Sequence, residues 1–145
     1  MRIDLPKIIH PPVVIPVSNP AAGATASYTL ASNECLFIHS IRFRVANSAV
    51  AGNRYAAVEF QNDAGLTLMS SAQTNANIVN EDRVFYFVSN MASVGYVSDT
   101  RKIYAIPYPI LLPPKWLIQI LYTGMDAGDQ LTAFNIVASR YFMRS

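Results

Sequence analysis

All nine prolines of this chain fall into two clusters: Pro6, Pro11, Pro12, Pro16 and Pro20 within residues 1–20, and Pro107, Pro109, Pro113 and Pro114 further on. Proline cannot continue a helix or donate to a central strand, and it pushes the residue before it toward extended geometry. The first cluster therefore predicts an extended arm over residues 1–20. Its apolar side chains are too many for a free, solvated tail, so the arm is expected to lie against something. The second cluster decides a different question. From Tyr104 onward the sequence is apolar enough to suggest a membrane span, but four prolines fall in eleven residues, and Lys115 and Gln119 interrupt the run. A spanning helix needs ~20 mostly apolar residues with its backbone hydrogen bonds intact. No membrane partner is expected.

Between and after the prolines the pattern is that of strands. β-Rich segments are expected at 25–31, 35–45, 54–61, 66–70, 83–89, 102–106, 116–123 and 131–142, separated by turn signals such as "NDAG" at 62–65 and "GMDAGDQ" at 124–130. In 35–45 the alternation puts Phe37, Ile41, Phe43 and Val45 on one face and Arg42 and Arg44 on the other. The segments 116–123 and 131–142 are expected to pair as a closing hairpin. No window of useful length carries helical periodicity with caps. The expected fold is thus all-β: an antiparallel, jelly-roll-like β-sandwich of about eight strands over residues 21–145, preceded by the arm.

Charge is scarce. Asp, Glu, Lys and Arg make up 14% of the chain while 52% is apolar, against ~25% charged in an ordinary soluble domain. A small monomer has much surface to cover, so the deficit suggests coverage by copies of itself or by a partner. Strand 116–123 is apolar on both sides (Trp116, Ile118, Ile120 and Tyr122 against Leu117 and Leu121), which points the same way. A net charge of +2 without a Lys/Arg cluster does not suit a nucleic-acid binder. The early acid and scattered prolines of the first residues do not fit a signal peptide.

Candidate chemistry is thin. Cys35 is the single cysteine, so no intrachain disulfide is expected. In a strand Cys35 and His39 share a face roughly 13 Å apart, whereas a nucleophile–base pair needs about 2.6–3.2 Å. His10 and His39 form no metal motif, and Asp126 with Asp129 lacks the spaced acids and late Glu of a calcium loop, so turn formation accounts for them. Glu81 and Asp82, beside Asn77 and Asn80, read as a solvated loop. No catalytic residue, metal or cofactor is expected. The candidate partner-binding residues are Ile8, Ile9, Val13, Val14 and Ile15 of the arm, and Tyr108 and Trp116 are the candidate exposed aromatic platform.

The order "ECLFIHSI", "AGNR", "NDAG", "VFYF", "LLPPKWLI", "AGDQ" across residues 27–142 resembles small β-sandwich structural proteins of tailed bacteriophages. In such proteins Asn53 and Arg54 would end a loop and start a strand, Pro113, Pro114 and Trp116 would launch the penultimate strand, and Gly128 and Asp129 would shape the last turn. The family usually has Gly where this chain has Lys115. The resemblance implies a non-enzymatic virion component. Its expected role is a capsid decoration (cement) protein that forms a homo-oligomer, a trimer by family analogy, and docks on the major capsid protein or another virion protein. The alternatives are a tail, neck or head-fibre subunit, or a carbohydrate-binding module.

Overall fold

A computed structural model describes residues 10–72, 82–89, 96–98, 101–106 and 110–143. Among them are eleven strands: β1 (Pro12–Pro16), β2 (Ala26–Thr29), β3 (Glu34–Ala46), β4 (Tyr55–Gln61), β5 (Thr67–Ala72), β6 (Asp82–Ser89), β7 (Tyr96–Ser98), β8 (Arg101–Ile106), β9 (Ile110–Leu112), β10 (Leu117–Thr123) and β11 (Gln130–Phe142). The all-β sandwich expected from the sequence is present, with more strands than the eight anticipated. One sheet runs β1-β11-β3-β6-β8-β7, with β9 also on β3; the other runs β2-β10-β4-β5.

The pairings nest. β1 pairs β11, β2 pairs β10, β3 pairs β9, and β4 pairs β5, all antiparallel. That is one long hairpin rolled up on itself, which is how a jelly roll is built. β6, β7 and β8 interrupt the nest and extend the larger sheet, with β8 parallel to β6.

Two differences from the sequence reading follow. The closing hairpin does not form: β10 pairs with β2 and β4, and β11 with β1 and β3, so the Gly124–Asp129 turn passes from one sheet to the other. Ile118, Ile120 and Tyr122 face Phe134 and Ile136 through the core instead of lying beside them. Second, Phe37 and Ile41 do not share a face. β3 carries an extra residue at His39, opposite the Val137–Ala138 step of β11, and such a bulge reverses the alternation. Leu36 and Ile38 point inward before it, and Ile41, Phe43 and Val45 after it. Phe37 is therefore left on the outer face.

The second half of the expected arm is β1. Ile15 is 7% exposed and belongs to the core. Val17 N–H donates to Phe134 O at 2.8 Å, so by alternation the odd residues of β1 point their backbone groups at β11 and the even ones at the open edge. Those even residues are Pro12, Val14 and Pro16. Two of the three edge positions have no N–H to offer another strand, a placement that blunts edge-to-edge pairing. Two of the prolines that read as an arm, Pro12 and Pro16, guard a sheet edge.

Between the sheets sits a row of aromatic rings. Phe43 stacks on Phe85 and Phe87 at 5.1 and 5.9 Å, Phe87 on Tyr104 at 5.3 Å, and Tyr122 of the smaller sheet meets Phe85 edge-on at 6.4 Å. The core also includes Leu36, Val58, Phe60, Leu112 and Leu131.

The Pro113–Trp116 turn brings the chain into β10, with Trp116 N–H to Pro113 O at 3.4 Å. Lys115 occupies its third position at φ 66°. A turn with proline second and positive φ third favours glycine there. A left-handed conformation costs a side-chain-bearing residue roughly 1–2 kcal/mol. Lys115→Gly should therefore stabilise the protein by about 1 kcal/mol in chemical denaturation, with an unchanged m-value. An unchanged or lower midpoint would contradict the strain assigned to this turn.

Candidate functional site

The best-organised polar cluster among the described residues is at the sheet-to-sheet crossing. Arg54 is 1% exposed and Asp129 is fully buried. Arg54 Nε donates to Asp129 Oδ2 at 2.6 Å, and its two terminal nitrogens reach Gly52 O at 3.3 Å, Ser48 Oγ at 3.1 Å and Val50 O at 3.0 Å. Asp129 also accepts from the backbone N–H of Ser48 (2.7 Å) and of Asp126 (2.8 Å). Ser48 Oγ donates in turn to Asp126 Oδ2 at 3.0 Å, and Gly128 N–H donates to the same oxygen at 2.9 Å. Loop 47–54 and turn 124–129 are thereby locked together.

Gly124 makes the close approach possible. Its φ is 77°, and a Cβ there would sit 2.2 Å from Asn53 O.

Electrostatics follow the geometry. Burial alone would raise the Asp129 carboxyl, but the Arg54 guanidinium and the Asp126 and Ser48 amides outweigh it and hold the group below the ordinary carboxylate range. Asp126 is also lowered, by the Gly128 amide first and the Ser48 hydroxyl second. The cation that Asp129 meets is the chain's own Arg54. Among the described residues no group of three or more His, Cys, Asp or Glu is placed to hold a metal ion.

A second clasp closes the far end of the β3–β11 pair. Glu34 is 1% exposed and accepts from Arg140 Nε at 2.6 Å, from Tyr28 OH at 2.9 Å and from Ala31 N–H at 3.0 Å. Sequence reading singled out neither Glu34 nor Arg140. Their pairing spans 106 positions, and no local pattern announces it.

The sequence-derived candidates do not converge. Ile15 faces the domain's own core, while Val13 and Val14 are exposed at 40% and 62%. Ile8, Ile9, Tyr108, Glu81, Asn77 and Asn80 lie outside the described residues. Trp116 is half-buried and packs against the core. Cys35 and His39 share the outer face of the larger sheet, but His39 Nε2 is 2.9 Å from Ser139 Oγ and its ring contacts Phe37 at 5.4 Å. Asp82 forms a two-pronged pair with Arg44, whose hydrogen bonds hold its carboxyl below the usual range.

That outer face is itself the notable surface. Val14, Val137, Val84, Tyr86, Val88 and Ile103 all lie on it, half-buried or exposed, by the register of β1, β11, β6 and β8. Arg42 and Arg44 interrupt it; the Arg42 guanidinium lies 5.8 Å from the Tyr86 ring centre.

No protein-family model and no curated protein matches the chain. Among solved structures it is similar to a chain of the IBDV viral particle, at 13% identity and TM-score 0.40, covering 95% of this chain and 34% of that one. It is also similar to a chain of infectious bursal disease virus, Gt strain, at 19% identity and TM-score 0.32, covering 89% and 32%. This chain thus spans about a third of the length of each. At these scores the likenesses carry no argument.

The buried pair sets a pH dependence. Because the Asp129 carboxyl titrates lower in the folded chain than in the unfolded one, its contribution is fully present above about pH 4 and is lost as pH falls through the folded value. Denaturation midpoints should fall steeply below about pH 4, and Asp129→Asn should flatten that limb. Asp129→Ala leaves Arg54 buried and unpaired, and should cost about 3–5 kcal/mol near neutral pH. A loss under 1 kcal/mol would mean that the clasp is not holding the crossing.

Proposed function

We propose that this chain is a non-enzymatic virion structural protein, a capsid decoration subunit that self-associates and docks on a repeating capsid surface. The observation that carries the association is the outer face of the larger sheet. An antiparallel sheet facing water alternates apolar-in and polar-out, yet here Val14, Val137, Tyr86, Val88 and Ile103 point outward. Apolar area of this kind marks a surface meant to be covered, and the low charge content fits the same reading. The virion setting rests on the order of motifs over residues 27–142 that resembles phage structural proteins. Docking on a shell of identical subunits gains from multivalency, so a modest apolar contact per subunit suffices once the subunits are joined. Val14, exposed on the guarded edge, belongs to that surface, while Val13 is exposed on the opposite side of the same strand.

Two measurements test the proposal. The purified chain should sediment as an oligomer at micromolar concentration, as a trimer on the family analogy, and should cosediment with particles that lack it. Val14→Asp combined with Val88→Asp should give a folded monomer that no longer cosediments, since both side chains point away from the core. A monodisperse wild-type monomer, or a double variant that still assembles and binds, would overturn the surface assignment.

A further inference from the structure

The outer face of the larger sheet is not uniformly apolar. At its Arg44 end it opens into a cleft of about 380 Å³ lined by Arg42, Arg44, Asp82, Val84 and Arg101. The register explains how these residues meet. Arg44 of β3 pairs with Val84 of β6, and Val84 pairs with Arg101 of β8. Two arginines therefore flank a short apolar side chain in one row across three strands. At ~4.8 Å between neighbouring strands their backbones stand roughly 10 Å apart, a gap that two arginine side chains can close. Arg42 lies two residues along β3 from Arg44, on the same side of the sheet.

The described lining of this cleft carries three guanidiniums and one carboxylate, an excess of two positive charges. Arg44 takes Asp82 with Nε at 2.7 Å and with a terminal nitrogen, yet the two side chains remain 50% and 46% exposed. Arg42 is half-buried, and its Nε donates to the Tyr86 hydroxyl at 3.4 Å. Among the described residues no carboxylate forms an ion pair with Arg42. Arg101 is exposed. Arginine cannot shed its proton to relieve such crowding, so the excess charge favours an anion from outside. A carboxylate offers two oxygens and one charge. A phosphate monoester offers three oxygens and close to two charges, and arginine forks match its edges. We propose that the cleft binds a phosphate group, held by Arg42, Arg44 and Arg101 above Val84, with Asp82 competing for Arg44. The open side of the cleft leaves room for the body of an ester. The inference is independent of the virion reading, since every residue it uses belongs to one chain.

Titration calorimetry of the full chain tests the site. At about pH 8 and low ionic strength, where a phosphate monoester is a dianion, phenyl phosphate should saturate one site per chain with a Kd of about 1 mM or below. Acetate should bind at least about tenfold more weakly. Arg42→Gln and Arg101→Gln, both on the outer face, should each raise the Kd for phenyl phosphate by about tenfold. Asp82→Asn should lower it, because the competitor for Arg44 is gone; a purely structural Arg44–Asp82 pair would give no such gain. Inorganic phosphate, run in parallel, tells what the site holds: equal affinity assigns the phosphate group alone, and weaker affinity assigns its ester. No saturation by about 10 mM phenyl phosphate, equal binding of acetate, or an unchanged Kd in either arginine variant would overturn the proposal.

Discussion

The Arg54–Asp129 pair is the interaction on which the rest of the fold turns. A rolled hairpin must at some point send the chain from one sheet to the other, and there neither strand ladder can satisfy the backbone. In this protein the crossing between β10 and β11 is filled by a guanidinium and a carboxylate. Their remaining hydrogen-bonding sites are taken by Ser48, Val50, Gly52 and the Asp126 amide. Burying two charges costs more than their attraction returns unless every site is satisfied, and here they are. The turn is fixed as a result, and with it the residue at which β11 begins. At the opposite end of the same strand pair Glu34 and Arg140 repeat the device. The two thirteen-residue strands at the centre are therefore clasped at both ends.

Local chemistry made part of this legible. "NDAG" reads as a turn because Asn62 can accept from the amides that follow it, and Asn62 Oδ1 does accept from Ala64 and Leu66 at 3.0 and 2.9 Å. The resulting β4–β5 hairpin is local in sequence, so local signals suffice. The alternation in 41–45 likewise translates directly into Ile41, Phe43 and Val45 facing the core. What could not be read is everything set by distant pairing. Asp129 and Arg54 are 75 positions apart, and the sequence around each is equally consistent with a solvated turn. Whether 116–123 and 131–142 lie side by side or face each other depends on which other strands claim their edges. The bulge at His39 is invisible for the same reason: it is defined only against β11, which has its own bulge at Ala133, where φ is 51°.

The prolines show how one signal can be read correctly and still be misplaced. Pro12 and Pro16 do enforce extension, as expected, but extension is also what an edge strand needs. Only the register with β11 reveals that both prolines present their missing N–H to the open side. Docking by strand addition, the cheapest way for a β protein to recruit another chain, is therefore largely closed at this edge.

That closure constrains how the molecule can associate. With the β1 edge short and proline-guarded, backbone hydrogen bonds contribute little to any contact there, and what the larger sheet offers on this side is its face. Face-to-face contact draws its free energy from apolar burial, at ~25 cal/mol per Å², and from the shape of the side chains that interdigitate. Its specificity then has to come from the few polar groups set among them. Arg42, beside Tyr86, lies within the apolar field, and the Arg44–Asp82 pair lies at its end, so a covering surface has to accommodate the Arg42 charge. Polar groups fixed among apolar ones make the fit of such a face depend on register and not on area alone. They also penalise the indiscriminate stacking to which a purely apolar sheet would be prone.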